Sequence, residues 1–309
     1  MRLSRVLLLL GPLAGCASAG GPAEAGGSED PLAQRGPLET VARAPGFGFL
    51  EGPQWFEGEL LFSDIPNGRI HALGQDGTVR VFREPSLHAN GLEVDPGGRL
   101  VAAQHGARQV ERRDRSGTWT AVVTRFEGRR LNSPNDLVAR SDGTLYFTDP
   151  EWGIVPHPEL HELDFNGLFR VDPAGRLTAE WKTPWLGHGK TPRPNGVALS
   201  PAEDTLYLSD DGGDRILVFA VAAGGGLTPR GEWGSCPGPD GMAVDDGGNV
   251  YVGCRDGVTV YRPDGSPWGR IPTPGKISNV AFGGADRRDL FMTAGQAVLR
   301  VRLAVQGRL

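Results

Sequence analysis

A chain of 309 residues with a formal net charge of −5 is long enough for one large domain or two smaller ones. Its acidic balance excludes the basic face that a phosphate-backbone binder needs, so no nucleic-acid partner is expected. No apolar run reaches the roughly 18 residues of a spanning helix and no heptad pattern appears, whereas 47 glycines, 25 prolines and Asp-Gly pairs between short apolar runs mark an all-β chain.

The N-terminus reads as an export signal. Arg2 and Arg5 precede an apolar stretch, Val6 to Leu10 and Leu13, which is too short to anchor as a span. Leu13-Ala14-Gly15-Cys16 has the order of a bacterial lipobox, so residues 1–16 are expected to be a signal peptide ending at a lipidated Cys16. Ala17, not Asp, follows the cysteine, which by the bacterial sorting convention sends the protein to the outer membrane, facing the periplasm. Membrane contact is expected only through that lipid. Residues 17–37, rich in Gly, Ala, Ser, Pro and Glu, read as a flexible tether, and residues 38–309 as the folded domain. Its two cysteines, Cys236 and Cys254, fall in a loop and at a strand end. Export would permit a disulfide, but spacing alone cannot fix the Cα geometry a bridge needs, and the sequence leaves the pairing open.

The domain repeats itself. NGLEVDPGGRLVAAQ from Asn90, NDLVARSDGTLYFTD from Asn135, NGVALSPAEDTLYLSD from Asn195 and DGMAVDDGGNVYVGC from Asp240 align directly. Weaker copies, EGPQWFEGELLFSD from Glu51 and NVAFGGADRRDLFMTA from Asn279, open and close the series. Each has a polar lead residue, a short apolar strand, a tight turn and a second strand. The leads stand 39, 45, 60, 45 and 39 residues apart. Four short strands per repeat of this length is the pattern of a propeller blade, so the expected fold is a six-bladed β-propeller with four-stranded blades. The last copy ends at Leu303 after three strands, and Leu38 to Ala44 is expected to supply the missing outer strand and close the ring.

In a propeller the first strands line the axis, so the lead positions meet there. They hold Glu51, Asn90, Asn135, Asn195, Asp240 and Asn279, all oxygen donors. Asn and Asp before a strand also serve turns, but acids facing each other in a confined channel call for compensation. One hard divalent cation suits carboxylate and amide oxygens, calcium first, with Zn2+, Mg2+ or Mn2+ as alternatives. No His or Cys occupies the ring, which disfavours an imidazole or thiolate zinc site. Loops between second and third strands, and loops leading into the next blade, fall on this same face. They place His105, Trp152, His157, His161, His88 and His188 there, and leave His71 in a third strand. Pro150 to Asn166 is the candidate lid.

At these residues the sequence resembles the gluconolactonase, senescence marker protein and luciferin-regenerating enzyme family, in its bacterial gluconolactonase-like branch. The matching stretches include Glu51-Gly52-Pro53, Leu61-FSDIPNGRI, Gln104-HG, Phe126-EGRRLNSPNDLV, Tyr146-FTDPEWGI, Arg193-PNGVALSP and Pro239-DGMAVD. The resemblance implies a six-bladed propeller that opens sugar lactones with one axial divalent ion. It places metal ligands at Glu51, Asn195 and Asp240, and at Asn135 a residue that contacts metal or substrate. Asn90 and Asn279 have no such family role and are expected in an outer hydrogen-bonding shell. Asn90, Asn135 and His105 are the candidate substrate-binding residues. An Arg that some animal members place two residues before the Asn-Asp pair is Ser133 here, so their way of holding a sugar acid does not carry over.

The cation would polarise a lactone carbonyl, and Asp240 is the candidate catalytic base. A tightly held carboxylate is a poor base, so a water activated by the cation is the alternative nucleophile source. No Gly-x-Ser-x-Gly elbow is present, which argues against a serine hydrolase. The expected function is therefore a metal-dependent lactonase. A related metal-dependent phosphotriesterase or esterase and a non-enzymatic periplasmic binding propeller are the alternatives.

Overall fold

A computed structural model describes residues 30–155, 157–185 and 192–308. The signal peptide, Cys16, the tether as far as residue 29 and His188 lie outside the described residues.

Six four-stranded antiparallel sheets follow one another along the chain, as the repeat predicts. The first blade comprises Leu50–Phe56, Glu59–Asp64, Arg69–Leu73 and Val79–Arg83. The innermost strands of the others are Ala89–Val94, Leu137–Ala139, Pro194–Leu199, Met242–Val244 and Asn279–Gly283. Glu39–Arg43 pairs antiparallel with Ala297–Arg302 as the outer strand of the sixth blade, so the two ends of the domain close the ring as expected. The described part of the expected tether also packs on the propeller. Pro31 is buried, Leu32 lies against the core between the last two blades, and Gly36 N donates to Arg302 O at 2.8 Å.

The apolar core is divided between neighbouring blades. Each of the six buried clusters draws on two adjacent sheets: Leu61 and Ile70 meet Leu92 and Leu100 between blades one and two, and Tyr251 and Val260 meet Val280 and Met292 between blades five and six. Burial on the sheet faces leaves the axis free for polar side chains, which an undivided core could not accept.

Close approach of the inner strands explains the residue after each lead. A Cβ on Gly52 would lie 2.1 Å from Asn90 O, one on Gly196 2.2 Å from Asp240 O, and one on Gly241 2.0 Å from the Asn279 side chain. Hydroxyls of the second strands bind this contact: Ser63 Oγ donates to Asn90 O and Thr148 Oγ1 to Asn195 O, both at 2.7 Å, and Ser209 Oγ to Asp240 O. The aspartate beside each hydroxyl secures the loop leading into its own blade. Asp64 accepts from Gly48 N, Asp149 from Asn132 N and Asp210 from Arg193 N. The Ser-Asp and Thr-Asp pairs of the repeat are thus ring-closing devices.

The tail after the last strand crosses the far face. Gly307 bridges to Asp245, and Arg308 reaches Glu203 at 2.6 Å. Among the described residues no helix is long and apolar enough to cross a membrane.

Replacing Gly196 by Ala should cost about 1–3 kcal/mol, the usual range for overpacking a tight contact. Thermal unfolding would register this as a lower midpoint; an unchanged midpoint would contradict the close approach.

Candidate functional site

In five of the six blades the inner strand breaks register or starts late where its lead residue stands; in the sixth, Asn279 pairs regularly with Thr293. In blades one, two and four the pairing shifts between Glu51 and Gln54, Ala89 and Leu92, and Pro194 and Val197. In blades three and five the regular strand starts only at Leu137 and Met242, after the lead. A bulge re-aims a side chain, and here it accompanies a ring of buried leads: Glu51, Asn90, Asn135, Asn195, Asp240 and Asn279 all fall below one-tenth exposure.

The ring carries opposed charges. Glu51 accepts from Gly52 N at 2.7 Å and from Asn279 Nδ2 at 3.0 Å. Burial, then the fields of Asp240 and Asp136, push its carboxyl well above the ordinary range. Burial pushes Asp240 up to about 6 against the opposing pull of Lys276, while the Asn195 side chain bonds its carboxylate. Asn279 thus sits in a hydrogen-bonding role beside Glu51. Asn90 Nδ2 lies 2.9 Å from His105 Nε2. Burial lowers the His105 pKa to about 4, so the ring is neutral and its Nε2 accepts. Asn90 Oδ1 is buried with no hydrogen-bond partner among the described residues.

Two site residues lie outside the sequence expectation. Asp136 is buried, and burial raises its pKa to about 7; Val197 N donates to its Oδ2 at 3.3 Å. Glycine follows the lead at Gly52, Gly91, Gly196 and Gly241, whereas Asp136 and Val280 take that place in blades three and six, and of the two only Asp136 brings a carboxyl. Lys276 has its Nζ 2.7 Å from Asp240 Oδ2, and it stands three residues before a lead, where the repeat alignment does not look.

The cysteines form a disulfide, Cys236–Cys254, with Cα atoms 6.2 Å apart, which settles a pairing that the sequence leaves open. The reason is local pairing: Arg255 N donates to Pro237 O and Asp240 N to Gly253 O, each at 2.9 Å, which carries the loop back alongside the strand end. The bridge staples the segment that bears Asp240.

The first turn of the candidate lid is seated tightly. Ser133 Oγ donates to Pro150 O at 2.6 Å and accepts from Gly153 N at 2.9 Å. A Cβ on Gly153 would lie 2.6 Å from Ser133 Cβ and 3.2 Å from His105 Cβ. Position 133 therefore anchors the loop, and an arginine would not fit that contact. Further along, His161 stacks on Trp185 with centroids 4.0 Å apart, whereas His157 is exposed beside Glu159. His88 binds Ile65 O through Nδ1. His71 lies in a third strand, as expected. His71 is buried in its strand, and the others are divided between two loops, His88 in one and His157 and His161 in the other, rather than gathered into one group.

A cavity of about 500 Å³ occupies the axis beneath the ring, towards the face opposite the lid, lined by Asp136, Val138, Ala243, Phe282 and Arg308 among others. Glu93 also lines it, its carboxyl pushed up to about 8 by burial. The cavity is the lower channel and not the mouth above Asp240.

Among the described residues no three His, Cys, Asp or Glu side chains assemble into a metal site by themselves. A cation here would need the Asn amide oxygens as well. The donor set fits one: buried carboxylates at Glu51 and Asp240, amides at Asn135 and Asn195, and the unpartnered Asn90 oxygen are hard ligands of the kind that calcium takes.

Comparison with known proteins decides the family. The SMP-30/gluconolactonase/LRE-like region model matches residues 49–296. The chain belongs to this family. It is 34% identical to a gluconolactonase of Zymomonas mobilis, over 88% of this chain and 82% of that protein. It is 28% identical to a pentonolactonase of Haloferax volcanii, over 79% and 80% of the respective chains. A solved Xanthomonas campestris gluconolactonase superposes with a TM-score of 0.77 at 36% identity, covering 86% of this chain and 89% of that one.

Loss of the disulfide should loosen the Asp240 loop. With the cysteines 18 positions apart in the chain, Cys236→Ser is expected to cost about 2–4 kcal/mol. Calorimetry should show the variant and the reduced wild-type protein melting at the same lowered temperature. A variant as stable as the oxidised protein would contradict the bridge.

Proposed function

We propose that the protein hydrolyses a sugar lactone or a similar lactone at the lid-side mouth of the propeller channel, with a divalent cation held by Glu51, Asn135, Asn195 and Asp240. The observation that carries this reading is the convergence of buried carboxylates and amides on the axis. The gluconolactonase and pentonolactonase relatives support the reaction class. Calcium is the ion that the oxygen donors favour. When bound, the cation supplies Lewis acidity to the lactone carbonyl.

The chain's own groups do the rest. Asp240 takes a proton from the attacking water as its oxygen bonds to the carbonyl carbon. The ring C–O bond then breaks, and the proton passes to the leaving alkoxide to give a hydroxy acid. Asn135 and Asn90 orient the substrate from the ring, and neutral His105 fixes the Asn90 amide. The lid segment anchored on Ser133 shields the mouth from solvent.

The charge-removing variants separate these roles. Glu51→Gln should weaken cation affinity, and excess calcium should restore its lactone turnover at least in part. Asp240→Asn should lose about 10²–10⁴-fold in kcat even at saturating calcium, the usual worth of a general base. Equal rescue of both would reduce Asp240 to a ligand. If neither substitution changed bound metal or turnover, the axial site would be the wrong one.

Export to the outer membrane through lipid on Cys16 is part of the same proposal, and the disulfide accords with an oxidising compartment. Cys16→Ser should release the protein from the membrane fraction or leave it unprocessed; unaltered fractionation and processing would contradict the anchor.

A further inference from the structure

Lys276 is placed by the backbone that follows it. Ile277 N donates to Cys254 O at 3.0 Å, and Ser278 O accepts from Gly241 N at 2.8 Å. The loop leading into blade six is thereby tied to the disulfide-bearing strand end and to the residue after Asp240. Its ammonium rests 2.7 Å from Asp240 Oδ2, with the lysine side chain 41% exposed and the aspartate 7%. Asp211 and Glu51 add to the negative field around it. The contact is a partly buried charge pair on a built scaffold, not a chance surface pair of the kind that contributes little.

A divalent ion coordinated by Asp240 would stand about 2.3–2.6 Å from a carboxylate oxygen. The ammonium and the ion would then share one carboxylate within a few ångströms, in a channel where like charges are poorly screened. Lysine suits such a place, because it is a compact point charge on a flexible stem that can withdraw towards the open mouth.

We propose that Lys276 and the axial cation are rivals for Asp240, so that Lys276 sets how tightly the protein holds its metal. This deepens the axial-cation reading above and rests on it. The rivalry keeps Asp240 paired whichever partner it has, and it makes cation affinity a property of a residue outside the ring of ligands.

The test is calcium chloride titration by isothermal calorimetry on wild type, Lys276→Met, Lys276→Gln and Lys276→Arg, with thermal midpoints measured with and without calcium. Both neutral variants should bind calcium at least about tenfold more tightly than wild type, a change of about 1.4 kcal/mol. They should also gain more thermal stability from a fixed calcium concentration. Lys276→Arg should stay close to wild type. Equal binding in wild type and the neutral variants would overturn this inference alone. Weaker binding by the neutral variants would overturn it too, by showing that Lys276 holds Asp240 in place for the ion. No calcium binding by wild type would overturn the axial-cation reading and this inference with it.

Discussion

The six inner strands meet so closely at the axis that the residue after a lead has no room for a side chain in most blades. Gly52, Gly196 and Gly241 each face a neighbouring blade at a distance no Cβ could tolerate. That contact lets second-strand hydroxyls reach the carbonyls of the next blade's leads. It also brings the lead side chains together. The site therefore arises from the same geometry that closes the ring, while the apolar burial that stabilises the fold lies elsewhere, between the sheets.

Gathering acids in this way is costly, because burial and mutual repulsion both oppose their charge. The structure compensates piecemeal. Glu51 takes an amide and a backbone N–H, Asp136 takes the Val197 amide, and Asp240 takes Lys276 and the Asn195 side chain. These groups leave Glu51 and Asp136 still displaced towards the neutral form. Carboxyls shifted by burial and by specific neighbours are characteristic of functional sites, and a hard cation is the compensation that the remaining oxygens fit.

The blade count and the closing strand were legible because the repeat carries them: period-two strands, a turn at a fixed offset, and one polar lead per copy. The lead residues were legible for the same reason. Asp136 stands beside its lead rather than at the repeated position, and Val280 departs from the lead-then-glycine pattern as well, so the departure alone did not mark it. Lys276 lies in a loop whose path depends on pairing with another blade. The cysteine pair depended on pairing across the strand end, which spacing does not encode. The tail after Leu303 has no counterpart in the repeat, and its contacts with Asp245 and Glu203 come from the closed ring. Position 133 shows the opposite case. The departure from an arginine there was visible, but its meaning, a small residue seating the lid, needed the packing around Gly153.

The central claim is that the ring of oxygens holds one cation on the axis. Anomalous diffraction from crystals of the folded domain soaked in Mn2+, used as a calcium substitute, tests it directly. The account predicts a single strong peak on the axis, in contact with the carboxylates of Glu51 and Asp240 and the amide oxygen of Asn195. A map with no peak there, or with its strongest peak away from these side chains, would contradict it.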